Sequence, residues 1–189
     1  MGRWEPDAPG RFRTAAMALF GEIGYEQTTV AAIAERAGLT PRTFFRTFAD
    51  KREVLFNGSE QLQQLMLAAL AGAPAKATPL AAIAVALRAP TEFFTEERRP
   101  FSRLRNAVII ANGELLEREL IKLARLSAAL GEGLRARGVA EPDASLAAEA
   151  GIAVFRVAFA QWVDASERRD YATIVVDALA RLTALATQR

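Results

Sequence analysis

Hydrophobic residues recur along nearly the whole chain at the three- and four-residue spacing of α-helices. The first such stretch predicts a helix over residues 11–23, with Gly24 placed to end it. A shorter stretch predicts a second helix between Thr29, a suitable N-cap, and Gly38, a suitable stop. Alternating apolar and polar residues between hairpin turns, the pattern of β-strands, do not occur. The chain is therefore predicted to be all-α.

A third helix is predicted to begin only two residues after Gly38. Thr40 supplies a hydroxyl N-cap, and Pro41 has the fixed φ angle that suits the first helical position. Phe44 and Phe48 are one turn apart and are expected to face the core. The opposite side of this helix, which is free of acidic residues, is then expected to face solvent.

The rest of the chain is expected to form helices of more usual length. Asp50 is a further N-cap, and the apolar stripe behind it predicts one continuous fourth helix over residues 51–71. Residues 72–79, rich in Ala, Gly and Pro, are the linker candidate. About nine helices are expected in total, the later ones near residues 80–94, 101–111, 114–137, 143–165 and 170–187. We expect one domain in residues 1–50 and a second in residues 51–189, with 51–71 as the connecting helix.

Composition excludes several classes of chemistry. The 189 residues are 51% hydrophobic, enough for a sizeable core, and contain no Cys and no His. Disulfides, thiol nucleophiles, zinc sites built from Cys or His, and imidazole bases are therefore excluded. The carboxylates of Glu114, Glu117 and Glu119 share a helix with Arg118 and Lys122, which is typical of a solvated face. An enzyme is not expected, and neither is a metal or another cofactor.

Targeting signals are also missing from the sequence. The longest apolar stretches are too short to cross a bilayer. Residues 3–7 contain no apolar run of signal-peptide length. We therefore expect a cytoplasmic protein without a membrane partner.

Positive charge is concentrated in one segment of the chain, residues 36–52. The net charge is only +2, but residues 36–52 contain five basic residues and one acidic residue, Asp50. The basic ones are Arg36, Arg42, Arg46, Lys51 and Arg52. Such a patch is the electrostatic footprint of a surface that meets phosphates, although an ordinary solvated charge run has the same composition.

The second and third predicted helices, joined by a tight turn containing Gly38, form a candidate helix-turn-helix. In this motif the second helix enters the DNA major groove. The side chains that would face outward can hydrogen-bond to base edges or phosphates; they are Thr40, Arg42, Thr43, Arg46 and Lys51. The alternative is a pair of packed helices that has no role in DNA binding and carries arginines on its solvent-exposed side.

Residues 24–56, GYEQTTVAAIAERAGLTPRTFFRTFADKREVLF, resemble the DNA-binding domain of the TetR (tetracycline repressor) family. The resemblance implies that Thr29 and Thr40 cap helices and touch phosphate. It implies that Arg42 and Thr43 read bases, and that Lys51 contacts phosphate. The 1–50 domain would then be the DNA-binding domain.

Two positions depart from the family pattern. Phe45 stands where the family commonly has Tyr, and Thr47 stands where it commonly has His or Tyr. Phe45 is expected to pack inward or to contact a thymine methyl group, and Arg46 to compensate for a lost phosphate contact. Both positions belong to the predicted DNA-binding set.

The resemblance further implies a second domain that binds a small-molecule effector and forms a two-fold dimer through its last two long helices. Candidate pocket residues, each of which could instead be simple core, are Phe93, Phe94, Phe101, Leu104, Arg105, Val108, Phe155, Arg156, Phe159 and Trp162. For Arg156, whose sequence neighbours are apolar, three partners stay open: a rim carboxylate or solvent, an anionic effector, or a dimer salt bridge. Candidate dimer residues are Ala147, Ala150, Ala158, Ile174, Ala178, Leu182 and Leu185.

The sequence thus favours a ligand-responsive transcriptional regulator. We expect a repressor that binds a palindromic operator as a homodimer and is released by a small-molecule effector. The alternative is a helical module that binds proteins or small molecules without binding an operator.

Overall fold

The computed structural model describes residues 7–187 and contains, within them, ten α-helices and two short 3₁₀-helices but no strand. The all-α prediction is confirmed. Residues 1–6, which include most of the segment considered for export, and residues 188–189 lie outside the described residues. None of the described helices is long and apolar enough to cross a membrane. The α-helices are α1 (Ala8–Glu22), α2 (Val30–Arg36), α3 (Pro41–Thr47), α4 (Glu53–Phe56), α5 (Ser59–Ala71), α6 (Pro79–Arg88), α7 (Arg99–Ala111), α8 (Gly113–Ala136), α9 (Asp143–Trp162) and α10 (Tyr171–Thr187).

The chain forms two compact units. The first comprises Met1–Gly58 and Leu104–Leu116, and the second comprises Ser59–Arg103 and Glu117–Arg189. The boundary in the first half of the chain therefore lies at Gly58 rather than at residue 50, and the expected linker 72–79 lies inside the second unit. The assignment of DNA binding to one domain and of effector binding to the other stays a prediction.

An aromatic core holds the first unit together. Phe12 on α1 meets Phe44 of α3 at a centroid distance of 5.1 Å and Phe48 at 6.3 Å, in both cases edge to face. Phe44 and Phe48 are themselves 5.3 Å apart. All three rings are buried, as the spacing of Phe44 and Phe48 predicts. Such aromatic pairs contribute about 0.5–1.5 kcal/mol beyond the area that they bury.

The predicted continuous fourth helix is wrong. Asp50 does accept hydrogen bonds from the backbone N–H groups of Arg52 (2.8 Å) and Glu53 (3.1 Å), but the helix that follows ends at Phe56. Gly58 has a φ of +93°, which no right-handed helix accommodates, and α5 begins only after it. The dipeptide Asn57-Gly58 is a common turn signal that the apolar stripe conceals.

The second unit packs α5, α6, α8, α9 and α10 around one core. Small residues let its helices approach closely: a Cβ on Gly151 of α9 would lie 2.6 Å from Ile83 Cγ2 on α6. Arg137 donates to the carbonyls of Leu70 (3.0 Å) and Pro74 (2.8 Å), and this satisfies backbone acceptors at the end of α5. The loop between α5 and α6 is therefore held to the core of the unit.

Candidate nucleic-acid interface

The turn between α2 and α3 has a defined hydrogen-bond pattern. Gly38 has a φ of +63°, its N–H donates to the Glu35 carbonyl, and the N–H of Leu39 donates to the Ala34 carbonyl, both at 2.9 Å. This pair of bonds is a Schellman motif, which closes α2 within two residues. Gly38 is thus the predicted stop, and α3 can begin at Pro41.

Arg11 on α1 secures this turn. Its Nη2 donates to the carbonyls of Ala37 (2.5 Å) and Gly38 (3.3 Å). A Cβ at position 38 would lie 2.9 Å from the same nitrogen, in addition to the strain of a positive φ. The angle between α2 and α3 is therefore fixed both by the backbone and by a cation from α1.

Threonine hydroxyls cap both short helices. Thr29 Oγ1 accepts from the N–H of Ala32 at 3.1 Å, and Thr40 Oγ1 accepts from the N–H of Thr43 at 3.2 Å. The Thr40 and Thr43 hydroxyls also share a hydrogen bond of 3.0 Å. The capping roles are confirmed, whereas the phosphate contacts of Thr29 and Thr40 stay predictions.

One side of α3 faces solvent within the first unit. Arg42, Phe45 and Arg46 are exposed, and Phe45 keeps 58% of its surface accessible. Thr43 and Thr47 are half-buried at the edges, and the Thr47 hydroxyl donates to the Thr43 carbonyl at 3.1 Å. Of the two roles expected for Phe45, inward packing is therefore wrong. The Phe45 ring is therefore accessible to a binding partner.

Two of the five basic residues in the predicted patch are paired with carboxylates inside the protein. Arg36 donates two hydrogen bonds to the Glu22 carboxylate in a bidentate ion pair (2.7 and 2.9 Å), and these bonds lower the pKa of Glu22. Arg52 is paired in the same way with Asp50 (2.6 and 2.9 Å). Arg42 and Arg46, by contrast, have no internal acceptor in the described part of the chain. The unpaired positive charge of this patch is therefore centred on α3.

Lys51 is held by the backbone rather than extended into solvent. Its Nζ donates to the carbonyls of Tyr25 (2.8 Å), Thr28 (3.1 Å) and Glu26 (3.4 Å), and it lies 4.2 Å from the centroid of the Tyr25 ring. An ammonium group has three donors, and all three are used here. A phosphate contact would require one of these bonds to break. The structure gives Lys51 a different role, which is to fix the loop between α1 and α2.

The ten candidate pocket residues do not form one set. Phe94, Phe155, Phe159 and Trp162 lie together in the second unit, with Tyr171, which the sequence reasoning missed, stacked on Phe94 at 4.0 Å. Three other candidates, Leu104, Arg105 and Val108, belong to the first unit. Phe93 and Phe101 are half-buried outside this aromatic group, and Arg156, the tenth candidate, is exposed.

Two arginines of the predicted pocket have other environments. Arg105 donates from Nε to the Leu55 carbonyl at 2.7 Å, and its guanidinium lies 5.4 Å from the Phe56 ring. Arg156 is exposed on α9, without an ion pair or hydrogen bond among the described residues. Of the three partners left open for Arg156, solvent is the one that this exposure supports, because the buried neighbours in sequence lie on other sides of the helix. The anionic effector and the dimer salt bridge stay predictions.

Most of the predicted dimer residues face the interior of their own unit. Ala147, Ala158 and Ile174 are buried, Ala150, Ala178 and Leu182 are half-buried, and only Leu185 is exposed. The prediction is wrong for the three buried residues, since a side chain buried in its own unit cannot contact a partner. The large apolar side chains that α9 and α10 leave exposed are Leu146, Val157, Val176 and Leu185.

Comparison with known proteins identifies a family model that matches within the first unit. Residues 13–57 match the family model described as bacterial regulatory proteins, tetR family. A segment of 74 residues is 47% identical to the HTH-type transcriptional regulator TcmR of Streptomyces glaucescens and covers 39% of this chain. This match spans 33% of the length of TcmR. The matched family and relative are transcriptional regulators, not enzymes.

Solved structures resemble the chain over nearly its full length. The transcriptional regulator PfmR of Thermus thermophilus, of the TetR family, is 25% identical with a TM-score of 0.55, and the alignment covers 95% of this chain and 100% of PfmR. SmeT of Stenotrophomonas maltophilia, described as the repressor of the multidrug efflux pump SmeDEF, is 21% identical with a TM-score of 0.59. That alignment covers 94% of this chain and 89% of SmeT. The fold is therefore shared along both units.

Proposed function

We propose that this chain, which belongs to the TetR family of bacterial transcriptional regulators, is a ligand-responsive repressor. It binds a two-fold symmetric operator as a homodimer and leaves the operator when a small-molecule effector binds. It acts in the cytoplasm, where the operator is accessible. Family members are generally DNA-binding repressors, which supports the direction of regulation.

The observation that carries this proposal is the outward side of α3. Arg42 and Arg46 are exposed without an internal acceptor in the described part of the chain, and Phe45 lies exposed between them in sequence. A guanidinium can donate two parallel hydrogen bonds to a guanine edge, and an aromatic ring can contact a thymine methyl group. The side chains that a major-groove helix needs are thus free to reach a base pair.

The polar residues around α3 suit the DNA backbone. Thr29 and Thr40 stand exposed at the first turns of α2 and α3, and the hydroxyls of Thr43 and Thr47 lie at the edges of the reading face. Hydroxyl groups commonly donate to phosphate oxygens, and such contacts set the register of a protein on the duplex. We assign base reading to Arg42, Thr43 and Phe45, and backbone contacts to Thr29, Thr40 and Arg46. Thr47 can make such a contact once its hydroxyl turns away from the Thr43 carbonyl.

Dimerisation through α9 and α10 would present two copies of α3, one from each partner, to a single operator. The exposed apolar residues Leu146 and Val157 lie on α9, and Val176 and Leu185 lie on α10. A two-fold interface repeats this surface on both partners, and half-sites one helical turn apart require about 34–36 Å between the reading helices. An effector that prefers the form with another spacing lowers the affinity for DNA, and DNA lowers the affinity for that effector equally.

Selection of bound duplexes followed by fluorescence anisotropy tests the proposal. We expect recovery of a palindromic site whose binding weakens steeply with salt, because phosphate contacts release counterions. The double variant Arg42→Ala/Arg46→Ala should lose at least about tenfold affinity for that site. The matched control Arg88→Ala/Arg125→Ala removes two exposed arginines of the second unit and should bind normally. Equal loss in both variants, or recovery of no preferred sequence, would show that α3 does not read DNA.

A further inference from the structure

The chain passes between the two units at three places: after Gly58, after Arg103 and after Leu116. The first crossing lies in a turn, where Asn57 has a ψ of 131° and Gly58 a φ of +93°, so the helical hydrogen bonds are interrupted between α4 and α5. The other two crossings lie inside the continuous helices α7 and α8. A glycine turn changes its angles more readily than a helix, in which each residue is held by backbone hydrogen bonds. The first crossing is therefore the least rigid of the three.

The first turns of α7 hold the loop between α9 and α10, residues 163–170, within the second unit. Arg99 and Arg103, one helical turn apart, together donate to four backbone carbonyls of this loop. The carbonyls are those of Glu167 (2.8 Å) and Arg169 (2.6 Å), held by Arg99, and those of Val163 (2.6 Å) and Asp164 (3.1 Å), held by Arg103. A guanidinium donates in a fixed planar geometry. The loop is therefore expected to follow this part of α7 when the helix shifts.

The next turn of α7 is bonded to α4 within the first unit. Arg105 Nε donates to the Leu55 carbonyl at 2.7 Å, and the guanidinium lies 5.4 Å from the Phe56 ring. Carbonyls in the last turn of a helix lack a helical partner, and Arg105 supplies one here. Successive side chains on a helix are turned by about 100°, so Arg103 and Arg105 leave α7 on nearly opposite sides. One helix thus carries bonds of both units within three residues.

The position of α4 is linked to that of α3 through the core of the first unit. Leu55 and Phe56 are buried, and α4 packs against α1. Helix α1 in turn holds Phe44 of α3 through Phe12, at a centroid distance of 5.1 Å. Close-packed interiors have little free volume, so a shift of one element is passed to its neighbours. A displacement of α4 should therefore reach α3.

We infer that α7 couples the second unit to α3, and that the turn at Asn57-Gly58 is a joint that does not transmit this coupling. An effector that changes the second unit moves the loop 163–170 together with α7, and α7 moves α4 through Arg105. This inference rests on the proposed effector response and names the part of the chain that transmits it. Arg103 and Arg105 act as positioning residues, through the backbone carbonyls that they hold.

Hydrogen exchange of the full chain, followed by mass spectrometry, tests the coupling without DNA or effector. The variant Arg103→Ala cuts bonds at the second-unit end of α7. We expect it to speed exchange about three- to tenfold both in the loop 163–170 and in α4 of the other unit, at a temperature at which the chain is folded. The matched control Arg125→Ala removes an exposed arginine of α8 and should change neither segment. Faster exchange confined to the loop 163–170 would overturn the inference.

The conservative variant Arg103→Lys covers the case in which Arg103→Ala does not fold. Lysine keeps the charge but not the planar group that reaches two carbonyls, so exchange in α4 should still rise, by a smaller factor. Unchanged exchange in α4, with faster exchange in the loop, would again oppose the inference.

A glycine inserted between Gly58 and Ser59 tests the joint. Turns with small residues tolerate insertions, whereas a rigid connection would lose its register. We expect Arg103→Ala to speed exchange in α4 by the same factor with and without the inserted glycine. If the insertion abolishes that response, the coupling passes through the connection between α4 and α5, and the inference is wrong.

The operator duplex recovered by selection relates the coupling to the proposed function. Because coupling between two sites is reciprocal, saturation with this duplex should slow exchange in the loop 163–170 at least about threefold in the wild type and in Arg125→Ala, but not in Arg103→Ala. If the duplex binds and the wild-type loop does not respond, the inference fails while operator binding stands. If no duplex is recovered, the proposed function fails, and the exchange measured without DNA still decides whether α7 couples the units.

Discussion

Phe44 and Phe45 are adjacent in sequence but lie on different sides of α3. The Phe44 ring is fully buried and meets Phe12 edge to face at 79°, whereas Phe45 is mostly exposed. Helix geometry turns successive side chains by about 100°, so one phenylalanine can anchor the helix while the next is presented outward. The pair therefore allows stability and recognition to be separated by single substitutions.

We expect Phe44→Ala to lower the unfolding free energy by about 3–5 kcal/mol, because it leaves a cavity against Phe12 and Phe48. Phe45→Ala should change it by less than about 0.5 kcal/mol and should instead weaken operator binding. Urea denaturation measures the first quantity and anisotropy the second. Equal destabilisation by both substitutions would place Phe45 in the core.

Arg42→Ala and Thr43→Val should act at particular operator positions. Each is expected to cost about 1–3 kcal/mol with the preferred base pair, and to cost little once that base pair is changed. The measurement is a set of affinities for every single-base variant of the selected operator. A uniform loss across all variants would instead assign these residues to the phosphate backbone.

Lys51→Ala should act on stability rather than on DNA contact. Loss of the bonds to Tyr25 and Thr28 is expected to lower the unfolding free energy by about 1.5–3 kcal/mol. The exposed Lys76 provides the control, since Lys76→Ala should be neutral. For folded protein, the salt dependence of operator binding should stay unchanged. If the slope of log affinity against log salt concentration fell by about 0.9 in the variant, Lys51 would make the phosphate contact that the family resemblance implies.

The double variant Leu146→Glu/Val157→Glu should convert a dimer into a monomer. Charges placed on both sides of a two-fold apolar interface face each other and lose their water. Val85→Glu/Ile121→Glu, which alters two other exposed apolar residues of the second unit, should remain dimeric. Size-exclusion chromatography with light scattering reports the mass. A wild-type monomer at micromolar concentration would exclude the palindrome hypothesis.

Both tyrosines of the chain should resist ionisation. Burial raises the pKa of Tyr25 to about 12 and raises the pKa of Tyr171 further. Because these values exceed the unfolded value of about 10, the folded chain holds more protons above that pH, and stability falls as pH rises from about 10 towards 12. Absorbance of tyrosinate should stay flat until the chain unfolds. Ionisation of one tyrosine near pH 10 in folded protein would show that its hydroxyl is accessible.

Local signals in the sequence predicted the first unit well. The caps Thr29 and Thr40, the stop at Gly38 and the inward pair Phe44 and Phe48 depend on interactions within a few residues, so spacing alone identifies them. The break in the fourth helix has an equally local cause in Gly58. It was missed because an apolar stripe continues across it.

Partners distant in sequence could not be predicted. Lys51 and Tyr25 are brought together only by the fold, and the charge of Lys51 alone is as compatible with phosphate as with backbone carbonyls. Helix α9 is apolar on two sides, so periodicity does not distinguish the buried Ala158 from the exposed Val157.

The contact between Arg105 and the Leu55 carbonyl limits how this protein can be dissected. The first unit is assembled from two separate stretches of chain, and Leu104 also lies against Gly21 of α1. A fragment cut after Gly58 would lose both contacts and expose the apolar surface beneath them. Chimeras that join the first 58 residues to another regulator should therefore also carry residues 104–116, or supply another segment that makes the same contacts.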